Sequence, residues 1–301
     1  VLTGLSAFPL TPLRDDAVDE PAFAALVERL AAAGVDSIGA LGSTGSAAYL
    51  DRGERRRVAS LAVRHAGAVP VVVGISALRT SQVLTLAEDA QEAGAAAVLL
   101  ASVSYQPLTD DDVLGLYEDV TAQLSVPLVV YDNPTTTRVA LTDELYGAIA
   151  DLPWVASIKI PGVPADPAAA AERVAAIRAQ VPAGVTIGVS GDASAARGLL
   201  AGCDAWYSVI GGTLPGPART ILRAAQSGDH AAAQAESARL QPLWDLFAEH
   251  GGSYRVIAAI AEQLGLAAPD CLPRPIRGLD ARARARVAEV VAALDLGTPA
   301  G

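Results

Sequence analysis

Short β-branched runs alternate with helical patterns along most of this 301-residue chain, and that alternation predicts an α/β fold: a closed (β/α)8 TIM barrel with a C-terminal helical appendage. Three observations carry the prediction. Eight consecutive strand–helix units are joined by short links, and an open doubly wound sheet rarely contains so many without a break. After Gly228 the strand pattern stops while the helical pattern continues. The chain is also long enough to bury roughly three quarters of its unfolded surface, room for one large core or two modest ones. We expect a barrel over residues 1–228 that carries the chemistry and a helical extension over residues 229–301.

The elements follow in order. The first strand is expected over Leu2 to Leu10, and the first helix over Asp19 to Ala33 with Gly34 as its stop. The next units pair Ser37–Leu41 with Asp51–Ala66, Val69–Ile75 with Ser81–Ala93, and Ala97–Ala101 with Thr109–Leu124. Pro127–Tyr131 precedes a helix over Thr142–Leu152, and a strand from Val155 precedes a helix over Pro167–Val181. Val185–Val189 with Ala193–Ala201 and Ala205–Ile210 with Pro217–Ala225 complete the eight. Three helices then follow, over His230–His250, Ser253–Leu264 and Asp280–Leu294, with Ala268–Pro275 as a proline-rich linker.

Composition excludes several classes of function. With 51% hydrophobic and 18% charged residues the chain reads as a globular protein, and no apolar run reaches the ~18 residues a membrane span needs. No basic region followed by an apolar stretch opens the sequence, so a cytoplasmic location is expected. The net charge of −11 argues against nucleic-acid partners, and Arg55-Arg56-Arg57 falls inside a helix pattern. Cys203 and Cys271 lie far apart, and His65, His230 and His250 are scattered over helical patterns. That spacing supports neither a disulfide framework nor a metal site, and we expect no metal and no cofactor.

One residue stands apart. Lys159 is the only lysine among 22 basic residues; every other is arginine. Arginine serves wherever a solvated cation or a carboxylate partner is needed, but it cannot be deprotonated in a protein. A lysine amine in an apolar site loses its proton readily and becomes a nucleophile. Val155, Ile158 and Ile160 surround Lys159 with β-branched residues, and Pro161-Gly162 closes the run, so the amine falls near the C-terminal end of a buried strand.

A barrel places its chemistry at the C-terminal ends of its strands. Those ends supply Gly42-Ser43-Thr44-Gly45-Ser46, Ser104-Tyr105-Gln106-Pro107, Tyr131-Asp132-Asn133-Pro134, Lys159 and Ser190-Gly191-Asp192. The Gly-Ser-Thr-Gly turn offers backbone N–H groups and two hydroxyls suited to a carboxylate or phosphate, although such turns are common in loops. Tyr131 ends the strand beside that of Lys159, about 4.8 Å away, so its phenol can reach the amine. Schiff-base chemistry on a 2-oxo acid needs this set. A neutral amine attacks the ketone, a hydroxyl shuttles protons, and a fixed carboxylate aims the carbonyl at the amine.

At these residues the chain resembles the dihydrodipicolinate synthase / N-acetylneuraminate lyase family of pyruvate-dependent class I aldolases. The motifs Gly42-Ser43-Thr44-Gly45, Tyr131-Asp132-Asn133-Pro134 and Ser157-Ile158-Lys159 occur in the family's order, and the resemblance covers nearly the whole chain. It implies that Lys159 forms the Schiff base, that Tyr131 transfers protons, and that Ser43 and Thr44 bind the carboxylate, with Ser43 also in the proton relay. Gly42 and Gly45 belong to the same turn. Tyr105 resembles the tyrosine that family members lend to a neighbouring subunit, which implies a homo-oligomer, a dimer or a tetramer. Ser208-Val209-Ile210-Gly211 resembles the segment that lines the mouth after strand eight.

The chain also departs from the family pattern. Ser46 replaces a glutamate, Asp132 replaces the asparagine of Tyr-Asn-x-Pro, and Ile160 and Pro161 follow the lysine where glutamate is frequent. Thr136 occupies the place of the arginine that grips the aldehyde's carboxylate in dihydrodipicolinate synthases, and the nearest arginine is Arg138. The expected partners are therefore a 2-oxo acid such as pyruvate and an uncharged aldehyde. Three other readings stay open: a genuine 4-hydroxy-tetrahydrodipicolinate synthase acting on aspartate semialdehyde, a non-catalytic barrel that binds an oxo acid, and a sugar-phosphate isomerase or synthase holding phosphate at Gly191, Gly211 and Gly212.

Overall fold

Strands Gly4–Ala7, Ser37–Ala40, Val71–Gly74, Ala97–Leu100, Leu128–Tyr131, Val155–Ile160, Thr186–Val189 and Ala205–Ser208 pair in parallel in that order, and the last pairs with the first to close the barrel. The computed structural model describes residues 2–297; residue 1 and residues 298–301, the outer ends of the two expected units, lie outside the described residues. The first four strands are buried at every position, which is why they consist of Val, Ile, Leu, Ala and Gly with only Ser6 and Ser37 as polar members. The helices between them open on polar capping residues. Asp19, Thr142 and Asp166 each accept a backbone N–H of the first turn, and Asp51 with Glu54 forms a reciprocal cap.

Strand residues alternate between two apolar clusters. Ile158, Ile160, Val130 and Ile187 join the large cluster that runs between strands and helices, whereas Phe8, Leu99, Val129 and Tyr207 form a smaller one, with Tyr131 packed against it. Lys159 follows the second parity and packs against its aromatic rings. The register that places it there contains an irregularity. Leu128 pairs with Val155 but Val129 pairs with Ser157, so one residue is skipped and Tyr131 comes level with Lys159.

Beyond Gly228 come helices His230–Arg239, Gln241–Glu249, Tyr254–Gln263 and Ala281–Ala293. The first packs on the last barrel helix, Pro215–Gln226, and the second reaches the turn Asp192–Ser194 after the seventh strand. Tyr254 also reaches the turn after the second strand, and the carbonyl of Cys271 accepts the N–H of Leu13. The appendage thus contacts the turns at the C-terminal ends of the barrel strands.

Several expected boundaries need correction. His230–His250 is two helices, because Pro242 has no N–H for the carbonyl of Ala238 and its ring crowds that group, so the helix ends at Arg239 and restarts at Gln241. The first strand ends at Ala7, since Pro9 and Pro12 cannot donate to a ladder. After it a hairpin, Leu13–Arg14 with Ala17–Val18, turns on Asp15 and Asp16, both with positive φ. Strand eight stops at Ser208 and passes into a tight turn over Ile210–Gly212. A short helix, Pro134–Thr137, was not expected from the sequence.

Candidate active site

Lys159 is 4% exposed, and its amine lies between two aromatic faces, 4.0 Å from the Phe8 ring centroid and 3.9 Å from that of Tyr131. A third ring, Tyr207, lies 5.6 Å away. No carboxylate lies within ion-pair distance of the amine among the described residues. Burial therefore dominates and pushes the ammonium from 10.5 down to about 7, while the more distant Asp192 pulls the other way. An amine so placed is substantially neutral near pH 7.

Glycines make room for these rings. A Cβ at Gly42 would fall 2.7 Å from the Phe8 ring, and one at Gly188, the register partner of Lys159 on the seventh strand, 2.2 Å from the Tyr207 ring. The Tyr207 hydroxyl shares a hydrogen bond of 2.6 Å with Ser157, one inward position below the lysine. Burial raises this phenol beyond the ordinary tyrosine range, so it stays neutral.

Tyr131 stands level with Lys159 on the adjacent strand and is half-buried. Its hydroxyl accepts from Asn133 Nδ2 at 2.7 Å and has the Ser43 side chain as a polar neighbour. Burial raises the phenol's pKa and the neighbouring Asp132 charge adds to this; the Ser43 and Asn133 side chains oppose them. The structure thus brings together Lys159, Tyr131 and Ser43. Ser43 is exposed at the top of the turn, Thr44 is 7% exposed, and Gly42 and Gly45 are buried. The Ser46 N–H closes the turn on the Ser43 carbonyl.

A cavity of about 880 Å³ opens beside the cluster, with Gly42, Ser43, Tyr131 and Thr136 in its wall. Arg55, 6% exposed, donates to the carbonyls of Gly74 and Ser76 and holds the loop that forms the far side. Thr136 accepts from Asn133 Nδ2 at 2.9 Å. Arg138 is exposed, ends the short helix with φ of 61°, and does not line the cavity.

The remaining candidates lie elsewhere. Tyr105 is 90% exposed on the loop after the fourth strand, and no hydrogen bond joins it to the cluster among the described residues. Gly191 has a φ of 82° and precedes Asp192. Asp192, quoted in the strand-end motif but not singled out, is the anchor of that region. Its carboxylate accepts from Trp206 Nε1 and Ser208 Oγ, both at 3.0 Å, and from the N–H groups of Val209 and Ile210. Ile210 is thereby fixed through its backbone, and its side chain is fully buried.

The departures have structural counterparts. Ser46 Oγ bonds to the Tyr254 hydroxyl at 2.5 Å, so the C-terminal helices hold the turn where the family carries a glutamate. Asp132 is 4% exposed, and its Oδ2 accepts from the Tyr146 hydroxyl at 2.5 Å. Burial raises the Asp132 pKa from its ordinary value, and the Tyr146 hydrogen bond opposes that shift. Sequence reasoning missed Phe8, Tyr207 and Asn133. For Phe8 and Tyr207 the only signal was strand parity, which needs the barrel's register before it can be read; Asn133 lies beyond the end of its strand and carried none. Among the described residues no group of three or more His, Cys, Asp or Glu side chains is placed to hold a metal ion, and no helix is long and apolar enough to cross a membrane. Cys203 and Cys271 are both buried and free.

Comparison with known proteins agrees with this geometry. A 4-hydroxy-tetrahydrodipicolinate synthase from Methylococcus capsulatus is 33% identical over 245 residues, 81% of each chain. The crystal structure of a dihydrodipicolinate synthase from Agrobacterium tumefaciens is 45% identical and superposes with a TM-score of 0.93, covering 97% of this chain and 98% of that one. A prophage protein of the same family from E. coli K12, solved in complex with pyruvate, is 26% identical with a TM-score of 0.89, covering 98% and 99%. Residues 1–294 match the model of the dihydrodipicolinate synthetase family. With the barrel, the inward lysine and the tyrosine beside it, that match shows that this chain belongs to the dihydrodipicolinate synthetase family.

Proposed function

We propose that this lyase of the dihydrodipicolinate synthetase family is a metal-independent class I aldolase that forms a Schiff base between Lys159 and pyruvate or a related 2-oxo acid. The observation that carries the reading is the Lys159 amine, without a carboxylate partner, packed between the Phe8 and Tyr131 rings. The neutral amine adds to the C2 carbonyl, and the Tyr131 phenol gives the new alkoxide a proton. The carbinolamine loses water to give the iminium, which then loses a C3 proton to become an enamine. The enamine attacks an aldehyde, and water releases the product and regenerates the amine. The cleavage direction runs the same steps backwards. The iminium serves as electron sink, so no step calls on a metal or a cofactor. Ser43 and Thr44 hold the oxo acid's carboxylate, and Ser43 links the phenol to the outside.

For the second substrate we favour an uncharged, hydroxylated aldehyde. Thr136 presents a hydroxyl to the cavity and Arg138 stays outside it, while the two arginines of the cavity wall are engaged elsewhere, Arg52 with the Asp89 carboxylate and Arg55 with the carbonyls of Gly74 and Ser76. The rival is aspartate semialdehyde, which the name 4-hydroxy-tetrahydrodipicolinate synthase of the curated relatives favours. A homo-oligomer belongs to the same reading, since Tyr105, Leu78 and Tyr49 are large side chains left 90%, 64% and 49% exposed. The test is incubation with pyruvate and borohydride followed by intact mass. One reduced adduct per chain supports the Schiff base, and an unchanged mass refutes it.

A further inference from the structure

Asn133 occupies the position before the short helix Pro134–Thr137, where an asparagine ordinarily turns its side chain back to accept a first-turn N–H. Here it does not. Its backbone carbonyl makes only the ordinary first-turn bonds, accepting from the N–H groups of Thr136 and Thr137 and from Thr137 Oγ1. The side chain is left for other work, and its amide Nδ2 donates to the Tyr131 phenol oxygen at 2.7 Å and to Thr136 Oγ1 at 2.9 Å.

A phenol oxygen has one proton to give and lone pairs to receive. With the Asn133 amide donating into that oxygen, the phenol's own proton is directed away from Asn133, toward Ser43 and the reacting atoms. When the phenol gives up that proton, the phenolate left behind is half-buried, and burial first, with the Asp132 charge second, disfavours it. A fixed amide donor at hydrogen-bond distance opposes that cost at the moment the charge appears. The anchor is rigid, because Pro134 fixes the following backbone and three hydrogen bonds hold the Asn133 carbonyl.

We infer that Asn133 is a positioning residue of the proton relay, acting through Tyr131 by donating to its phenol oxygen and stabilising the phenolate. This rests on the Schiff-base reading above. The experiment needs no aldehyde: exchange of the C3 protons of pyruvate into D2O, followed by NMR, reports the enamine step alone. Asn133→Leu lowers the exchange rate at saturating pyruvate by ~10–10²-fold with KM changed less than about twofold. In a Tyr131→Phe background the same substitution has no further effect, because its route is through the phenol. Asn133→Asp keeps the shape but turns a donor into an acceptor, and it carries the same cycle if Asn133→Leu does not fold. Equal losses in both backgrounds, or a loss confined to KM, overturn the inference while borohydride trapping of the wild type still stands. An untrappable wild type instead overturns the reading on which it rests.

Discussion

Tyr131 and Lys159 are register partners on adjacent parallel strands, and the lysine amine lies 3.9 Å from the centroid of the tyrosine ring. The ring face therefore shields the amine while the hydroxyl, which accepts from Asn133 and neighbours Ser43, reaches the wall of the cavity. On the proposed mechanism one residue both dries the amine and handles its protons.

The first consequence is a pH profile. Lys159 titrates at about 7, so the rate of imine formation with pyruvate at limiting concentration rises with pH and levels off above that value. Phe8→Ala admits water to one side of the amine and moves the midpoint upward toward 10.5, its ordinary value. A midpoint left in place by Phe8→Ala would assign the desolvation to other walls.

The second is a conflict between stability and activity. The folded state lowers the lysine's pKa, so between about 7 and 10.5 the unfolded chain binds a proton that the native chain does not, and stability rises with pH across that window. Below about 7 the whole penalty is present. Lys159→Met removes it, and at pH 7 thermal or urea unfolding of that variant should show a gain on the order of a few kcal/mol together with loss of all activity. Equal stability at pH 7 would mean that the buried amine costs little.

Tyr131→Phe keeps the ring beside the amine and deletes the proton carrier. It lowers kcat by ~10²–10⁴-fold and leaves the KM for pyruvate close to wild type. Turnover near wild type would take the phenol out of the mechanism.

On the proposed reading Thr136 decides the aldehyde. Aspartate semialdehyde is turned over with a kcat/KM below ~10⁴ M⁻¹s⁻¹, the lower end for natural substrates. Thr136→Arg introduces a guanidinium that can pair with the substrate carboxylate, and raises that value. A wild-type kcat/KM above it would make this chain a synthase acting on the semialdehyde.

The barrel was legible because its strands are short, apolar and regularly spaced, and Lys159 because no other lysine competes for notice. Tyr131 followed from its place at the end of the neighbouring strand. The walls around the amine were not legible. The sequence put Ile158 and Ile160 beside Lys159, yet these face the helices, and Phe8, Tyr131 and Tyr207 do the desolvating. That contact depends on closure of the first strand against the eighth and on the register skip at Leu128, neither of which leaves a local signal. Asn133 was quoted only as part of a motif, because nothing in the sequence says that its side chain turns away from the helix it precedes. The break at Pro242 was there to be read.

The central claim is that Lys159 is the nucleophile, and its position makes the decisive measurement simple because no second lysine can share the label. Protein treated with pyruvate and borohydride at pH 8, digested and mapped by mass spectrometry, should carry one reduced pyruvate on the peptide containing Lys159, while Lys159→Arg, which keeps a charge but no amine, carries none. An adduct that persists in Lys159→Arg, or wild-type protein that takes no label while still turning over substrate, would contradict the account.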